Sequence, residues 1–322
     1  MQGNGRMIAS IGKIALVAKP WRGGLGAYME AALEEMFPGR IRHLHTYPTT
    51  AADWLHYRLD RKAWRRRLAD RVHSLDADVV IFMSILPEFA ALPRMPGHVV
   101  WMMDNPGPSL GLLGPFAHVF LSDPGYADTV RDAVGVDRYA GVLPFACHPG
   151  IHRQVPERGD AKGFCFIANR DAKRDRVLGY LFEHGRGVHV YGNYFLRHRL
   201  SWRHPSWFHA PVANREMGAV YARYLATLNI HAEVVRGGTN MRTFECAAYG
   251  IPQLVEYRPG IEELFDPDEE INVFTGDQEL LSLMERVEHD VDDARRRAER
   301  ARQRVLAEHT YAHRIRHILS RF

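Results

Sequence analysis

The sequence contains few cysteines and no long hydrophobic run. Its three cysteines, Cys147, Cys165 and Cys246, form no Cys-x-x-Cys pair, so neither a disulfide framework nor a structural zinc site is expected. Apolar runs such as 79–83 and 99–103 are far shorter than the roughly 20 residues of a membrane-spanning helix. The first residues also lack the hydrophobic segment of a signal peptide. We therefore expect a cytoplasmic protein.

Neither sign of charge dominates the sequence. It has 42 basic and 38 acidic residues, a formal net charge of +4, so the total charge does not indicate a protein that coats nucleic acid. Hydrophobic residues make up 46% of the chain, which is typical of globular proteins and excludes a disordered or fibrous class. A length of 322 residues favours about two domains.

Short apolar runs alternate with helical patterns along the whole chain. Because these runs are almost continuously apolar, they indicate strands buried on both faces of parallel sheets, as in α/β domains. The predicted strands are 13–18, 41–45, 78–84, 98–104, 119–122, 164–168, 188–191, 228–230 and 253–256. The predicted helices are 25–36, 51–72, 174–184, 214–225, 241–249, 277–289 and 290–308, with Thr310 as the N-cap of a last helix. A segment rich in Pro, Gly and His at 145–162 separates the predicted domains 1–147 and 148–322.

Two segments at predicted strand-to-helix junctions suit an anionic ligand. Glycines in the loop 21–26, notably Gly23 and Gly24, would allow the backbone to approach a phosphate at a helix N-terminus. The loop is not a Gly-x-Gly-x-x-Gly fingerprint, and a tight turn is the alternative. The second segment places Arg170, Lys173 and Arg176 around the start of a helix, where cations oppose the helix dipole unless an anion binds. A solvated turn with Arg–Asp pairs is the alternative there.

The segment 237–252 carries the most specific motif. Its end, Glu245-Cys-Ala-Ala-Tyr-Gly-Ile-Pro252, resembles the donor-site motif of GT-B glycosyltransferases. The resemblance is closer to the spore-maturation-protein-like branch of the group 1 enzymes. It rests on Asn240-Met-Arg-Thr-Phe-Glu245, Glu262-Glu-Leu-Phe265, Glu269-Glu270 and Glu308-His-Thr-Tyr-Ala-His-Arg314, with weaker similarity elsewhere, including 190–192.

This resemblance implies a fold, an activity and a set of donor-site residues. The implied fold is two Rossmann-like domains that face a cleft, followed by C-terminal helices; the first domain is on the acceptor side and the second binds the donor. Glu245 would accept hydrogen bonds from the donor ribose, as a carboxylate can. The other residues that we assign to the donor site or to the leaving diphosphate are Gly23, Gly24, Arg170, Lys173, Arg176, Tyr191, Asn240, Arg242 and Thr243.

The implied reaction is a sugar transfer from a nucleoside diphosphate sugar. We expect UDP or dTDP as the nucleotide, no cofactor, no metal, and a retained configuration. Arg170 and Arg242 would stabilise the departing diphosphate. One position departs from the Glu-x7-Glu pattern of the family, because Gly237 stands where its first glutamate belongs. The identity of the transferred sugar is therefore not indicated.

Asp104, at the end of the predicted strand 98–104, is our candidate for the group that deprotonates the acceptor. Asp123 has an equivalent place, and either residue could cap a loop instead. Asp76-Ala-Asp78 matches a metal-binding Asp-x-Asp motif only in its letters, because it immediately precedes a strand, where Asp serves as a turn residue.

The acceptor is not identified by the sequence. Seven cations between Arg58 and Arg71 share a helical segment with an apolar stripe, which fits a solvated face, an anionic acceptor or a membrane surface. Cations and aromatic residues at 197–207 fit either a sugar or a nucleic acid. A peripheral position at the inner membrane face would follow from the membrane interpretation. Two other functions stay open, an epimerase of nucleotide sugars and a non-catalytic protein that binds polyanions or nucleic acid.

Overall fold

The computed structural model describes residues 11–21, 23–156, 160–194, 199–212 and 214–322. The chain forms two compact units. The first domain comprises the chain up to Pro144 together with Tyr311–Phe322, and the second domain comprises Phe145–Thr310. Within the described part of the chain, no helix has both the length and the apolar composition that a bilayer span requires.

A parallel sheet of six strands forms the centre of the first domain, in the order β2-β1-β3-β4-β5-β6. The strands are β1 (Ile14–Ala18), β2 (Ile41–His45), β3 (Val79–Phe82), β4 (Met95–Met102), β5 (Phe116–Leu121) and β6 (Tyr139–Val142). All residues of β1 and β3 are buried, as expected for strands that are covered on both faces.

The helices of the first domain are α1 (Leu25–Met36), α2 (Ala51–Leu59), α3 (Arg61–His73) and α4 (Ala127–Val134). The sequence predicted one continuous helix over 51–72, but the structure divides it at Asp60. The side chain of Asp60 accepts a hydrogen bond from the amide of Ala63 at 2.8 Å, so Asp60 starts a new helix as its N-cap. Trp64, Leu68 and Val72 then face the core from α3.

A second parallel sheet of six strands forms the centre of the second domain, in the order β12-β11-β10-β7-β8-β9. Its strands are β7 (Phe164–Ile167), β8 (Val188–Tyr191), β9 (Phe208–His209), β10 (Ala226–Asn229), β11 (Gln253–Glu256) and β12 (Asn272–Phe274). Read from β9, this is the strand order of a dinucleotide-binding sheet. The predicted class of two Rossmann-like α/β domains is confirmed.

The helices that follow these strands are α5 (Ala172–Glu183), α6 (Arg199–Arg203), α7 (Met217–Tyr221), α8 (Met241–Tyr249), α9 (Asp277–His289) and α10 (Val291–Glu308). The predicted helix 214–225 is reduced to a 3-10 turn and the short α7. Residues 197 and 198 of the predicted basic and aromatic segment lie outside the described residues.

The last helix, α11 (Tyr311–Leu319), belongs to the first domain, whereas the sequence-based division placed it in the second. The ring of Tyr311 packs against Tyr28 and Trp101, with centroids 6.0 and 6.3 Å apart. The guanidinium of Arg314 donates a hydrogen bond to the carbonyl of Pro144 at 2.7 Å. The apolar face of α11 therefore completes the core of the first domain.

Candidate functional site

The strand order of the second sheet reverses between β7 and β10, and such a switch point is where α/β sheets bind ligands at their carboxyl ends. Two contacts join the segments that follow these strands. The guanidinium of Arg174 donates to the carbonyl of Ile230 at 2.9 Å, and the amide of Glu233 donates to the carboxylate of Asp171 at 3.4 Å. The predicted residues Arg170 and Lys173 lie on this edge of the sheet.

A buried polar network fixes the start of α8 at this edge. The Nδ2 of Asn240 donates to the Oδ1 of Asn229 at 2.7 Å and lies 3.0 Å from the Nδ1 of His231. Its Oδ1 caps α8 by accepting from the amide of Thr243 at 3.3 Å. The hydroxyl of Thr243 accepts from Asn229 at 2.9 Å and hydrogen-bonds Thr239. Asn240 and Thr243 therefore orient the N-terminus of α8, where amides without helical partners can bind an anion.

Lys173 is held by a carboxylate that the sequence did not indicate. Its ammonium lies 2.8 and 3.0 Å from the two carboxylate oxygens of Glu256, which also binds Arg258 at 3.0 Å and the amide of His231 at 2.9 Å. Burial lowers the pKa of Lys173, and Glu256 partly opposes that shift. Glu256 ends β11, so the carboxyl end of that predicted strand was the signal that could have identified it.

Arg170 and Arg176 form Arg–Asp pairs, which was the alternative interpretation of their segment. The Nε of Arg170 lies 2.9 Å from Asp175, and its side chain stays 45% exposed. Arg176 pairs with Asp277 at the start of α9. Arg170 is thus a cation open to solvent at the switch point, whereas Arg176 is tied to a different helix.

Glu245 is a buried carboxylate. Its side chain is 1% exposed and forms an ion pair with Arg242, one turn earlier in α8. Its Oε1 accepts no hydrogen bond from the described residues and lies 3.6 Å from the Nε2 of His152. Burial raises the pKa of Glu245 although Arg242 opposes the shift, and burial lowers the pKa of His152 to about 3. The Arg242–Glu245 pair thus combines a fixed cation with a carboxylate oxygen that can still accept a hydrogen bond.

Tyr191 lies in the interior of the second domain. Its hydroxyl hydrogen-bonds that of Tyr224 at 2.7 Å and accepts from Arg223 at 2.9 Å. Its ring stacks on His209, with centroids 4.5 Å apart. These contacts occupy the phenol group, so Tyr191 is not part of the donor site that we propose.

The first domain has a cavity of about 590 Å³ at the carboxyl edge of its own sheet. The strand order reverses between β1 and β3, and the cavity is lined by the residues that follow these strands, among them Lys19 and Ser84, together with Arg65 and Asp104. Asp104 is exposed and forms no hydrogen bond or ion pair with the described residues. A carboxylate in this state is free to accept a proton from a bound hydroxyl.

Gly23 and Gly24, which the sequence assigned to the donor site, belong to the first domain. Gly24 lines the cavity and is the N-cap of α1. Gly23 has φ of +75°, which favours glycine, and its carbonyl accepts from the hydroxyl of Tyr28 at 2.9 Å. Arg22 of the same loop lies outside the described residues.

Asp123 and Asp78, two other candidate carboxylates of the sequence, are loop residues. Asp123 accepts a hydrogen bond from the amide of Gly125 at 2.9 Å, which matches its alternative interpretation as a capping residue. Asp78 accepts from the amides of Gly12 and Lys13 at 2.8 Å each, and these bonds lower its pKa.

Comparison with known proteins identifies the architecture. Residues 174–320 match a family model described as glycosyl transferase-like. HepE of Anabaena, in complex with UDP-glucose, has a TM-score of 0.69 at 12% identity over 96% of this chain and 98% of its own. Sucrose-phosphate synthase of Thermosynechococcus elongatus has 0.63 at 11%, over 93% and 95%. The T4 phage BGT in complex with UDP-glucose has 0.56 at 13%, over 95% and 97%.

The fold is GT-B. The family match runs from within α5 to α11, includes the motif around Glu245, and agrees with the prediction of a glycosyltransferase. No curated protein sequence matches the chain significantly. The narrower resemblance to the spore-maturation-protein-like branch stays a prediction.

Proposed function

We propose that this GT-B protein transfers a sugar from UDP-sugar, bound at the switch point of the second domain, to a hydroxyl of an acceptor. Two structural neighbours, HepE and the T4 phage BGT, are named as complexes with UDP-glucose, which supports uracil as the base. The arrangement at the start of α8 is the main support for this donor site. The helix is capped by Asn240, and its first turns combine the cation of Arg242 with the Oε1 of Glu245, which accepts no hydrogen bond from the described part of the chain.

In the donor complex, Glu245 accepts a hydrogen bond from a ribose hydroxyl. A buried carboxylate oxygen without a donor costs free energy, and a hydroxyl in that place would recover much of that cost. Because the side chain is 1% exposed, binding requires a change of rotamer or a small movement around it. The amides of the first turn of α8 then face the diphosphate and can donate hydrogen bonds to it.

The diphosphate gains negative charge as the sugar leaves, and Arg170 and Arg242 stabilise that charge. Arg170 is available because it is partly exposed and its Asp175 partner can be exchanged for a phosphate. Lys173 supports the site indirectly through Glu256, which holds the amide of His231. With the cations supplied by side chains, the proposed reaction needs no divalent metal.

The acceptor binds in the cavity of the first domain. The bond between the anomeric carbon and the β-phosphate oxygen breaks, and its electron pair leaves with UDP. A new bond forms from the anomeric carbon to the acceptor oxygen, whose proton goes to Asp104. The resemblance to group 1 enzymes supports retention of the anomeric configuration. Retention in a single displacement requires the acceptor oxygen to attack from the same face of the sugar that UDP leaves, and the NMR spectrum of the product tests this.

A thermal-shift panel with UDP, dTDP, GDP, ADP and CMP tests the donor site. A nucleotide that binds only the folded protein, at a hundred times its Kd, adds about 2.7 kcal/mol of stability. We expect UDP to give the largest shift. If no nucleotide raises the melting temperature at millimolar concentration, the donor site is wrong.

The variant Glu245→Gln tests the carboxylate itself. We expect it to bind UDP at least tenfold more weakly in calorimetric titration, because a ribose hydroxyl loses a charged acceptor. It also breaks a buried ion pair, which costs about 3 kcal/mol of stability, so binding is measured at a temperature where circular dichroism shows a folded variant. The exposed Glu263→Gln serves as the control. Unchanged affinity in a folded Glu245→Gln protein would contradict the proposed role.

A further inference from the structure

Helix α2 lies on the surface of the first domain with its apolar face uncovered. Tyr57 is the one buried residue of this helix. Trp54, Leu55 and Leu59 are 41%, 59% and 76% exposed. Leu55 and Leu59 are four residues apart, so they share one face of the helix. Exposed leucines on one helix face are a feature of surfaces that bind a partner.

Helix α2 and the adjoining helix α3 carry cations without carboxylate partners. They are Arg58 on α2 and Arg61, Lys62, Arg66, Arg67 and Arg71 on α3; all are exposed, and none forms an ion pair with the described residues. Arg61 lies over the ring of Tyr57 at 4.8 Å. The carboxylate of Asp60 caps α3. On the second domain, by contrast, Arg186 binds both Glu285 and Glu288.

We propose that this α2–α3 surface, residues 54–71, docks the protein on an anionic lipid bilayer. The cations complement anionic headgroups, and the two leucines can enter the boundary between headgroups and acyl chains. Trp54 has the amphipathic ring that is enriched at membrane interfaces. A nucleic acid would be satisfied by the cations alone and would leave both leucines exposed, so the combination favours lipid.

The docking surface adjoins the cavity of the first domain. The rings of Trp54 and Tyr47 pack edge to face with centroids 5.2 Å apart, and Tyr47 lines the cavity together with Arg65. If the proposed glycosyl transfer holds, the acceptor in this cavity is a membrane lipid or a lipid-linked hydroxyl compound. Membrane docking itself does not depend on that function.

Co-sedimentation with vesicles tests the charge contribution. The probe is 70:30 phosphatidylcholine:phosphatidylglycerol, with pure phosphatidylcholine as the neutral surface. Each cation near an anionic surface contributes about fivefold in binding, so Arg58→Gln/Lys62→Gln/Arg66→Gln should reduce partitioning on the order of a hundredfold. The control Arg131→Gln/Arg295→Gln/Arg296→Gln removes the same charge elsewhere and should change it less than fivefold. Equal losses in both triple variants, or equal binding of the wild type to neutral vesicles, would overturn the proposal.

The leucines separate a bilayer from a soluble polyanion. Leu55→Ser/Leu59→Ser leaves the charge unchanged and should reduce vesicle partitioning at least about tenfold, while binding to heparin and to single-stranded RNA stays the same. Vesicle binding that does not change in this variant would overturn lipid docking and leave polyanion binding as the explanation. UDP binding is also titrated for every variant. A variant that loses vesicle binding but still binds UDP shows that a failure of docking is not a failure of the donor site.

Discussion

Gly26 shows how one missing side chain shapes the edge of the first sheet. A Cβ at this position would lie 2.8 Å from the carbonyl oxygen of Lys19 and 2.9 Å from the Cβ of Ala18. Both are closer than real contacts allow, and one of them is backbone, which cannot move aside cheaply. The glycine therefore lets the first turn of α1 approach the end of β1, where the cavity begins.

We expect Gly26→Ala to destabilise the protein by about 1–3 kcal/mol, as overpacking does. Chemical denaturation followed by tryptophan fluorescence measures the loss. Gly111→Ala is the matched control, because a Cβ there meets no atom within 4 Å. Equal stability of both variants would show that α1 can move away from β1.

At the same scale, the sequence predicted the location of Glu245 better than its environment. Its motif places it at the start of a helix after a glycine loop, and the structure has α8 there. The neighbours that decide its protonation and exposure could not be predicted. His152 lies in an aperiodic segment, and only the folded chain places its ring beside the carboxylate.

At the scale of elements, the break between α2 and α3 depends on one cap. The polar and apolar periodicity continues through 51–72, so it predicted one helix. In the structure, the carboxylate of Asp60 replaces helical bonding at the first turn of α3.

We expect Asp60→Ala to lower the free energy of unfolding by about 1 kcal/mol, and Asp60→Ser, which retains a capping oxygen, to lower it by only a few tenths. Urea denaturation of the two variants checks this order. A smaller cost for Ala than for Ser would mean that other contacts fix the break.

Strands were predictable where they are continuously apolar. Ile14–Ala18 and Val79–Phe82 lie within the predicted ranges 13–18 and 78–84, because burial on both faces gives a continuous apolar run. The two residues of β9, Phe208–His209, carry no such signal and become a strand only by pairing with β8. The switch points that locate both sites lie between β1 and β3 and between β7 and β10, and the sequence does not reveal this strand order.

At the scale of the whole molecule, buried histidines make stability depend on pH. Burial lowers the pKa of His98 in the first domain to about 4 and that of His231 in the second to about 3. The unfolded chain binds protons near pH 6.5, whereas these rings stay neutral in the folded protein. The stabilisation is therefore present above pH 6.5 and is lost as the pH falls towards these values.

We expect each of these histidines to lower the free energy of unfolding by about 2 kcal/mol when the pH falls from 7.5 to 5. Denaturation curves at pH 7.5, 6 and 5 measure the decrease, and this window lies above the titration of ordinary carboxylates. His98→Gln should flatten the curve, whereas His56→Gln, on the exposed face of α2, should not. A stability that is constant over this range would contradict the burial of these rings in their neutral form.

The return of α11 to the first domain also affects how the protein is made. The second domain is an insertion whose two ends lie side by side, since the amide of Cys147 donates to the carbonyl of His309 at 2.9 Å. A ribosome therefore synthesises the last helix of the first domain only after the entire second domain. Until then Tyr28 and Trp101 lack their Tyr311 partner. The inserted domain can finish folding first, and the domain at the N-terminus is completed last.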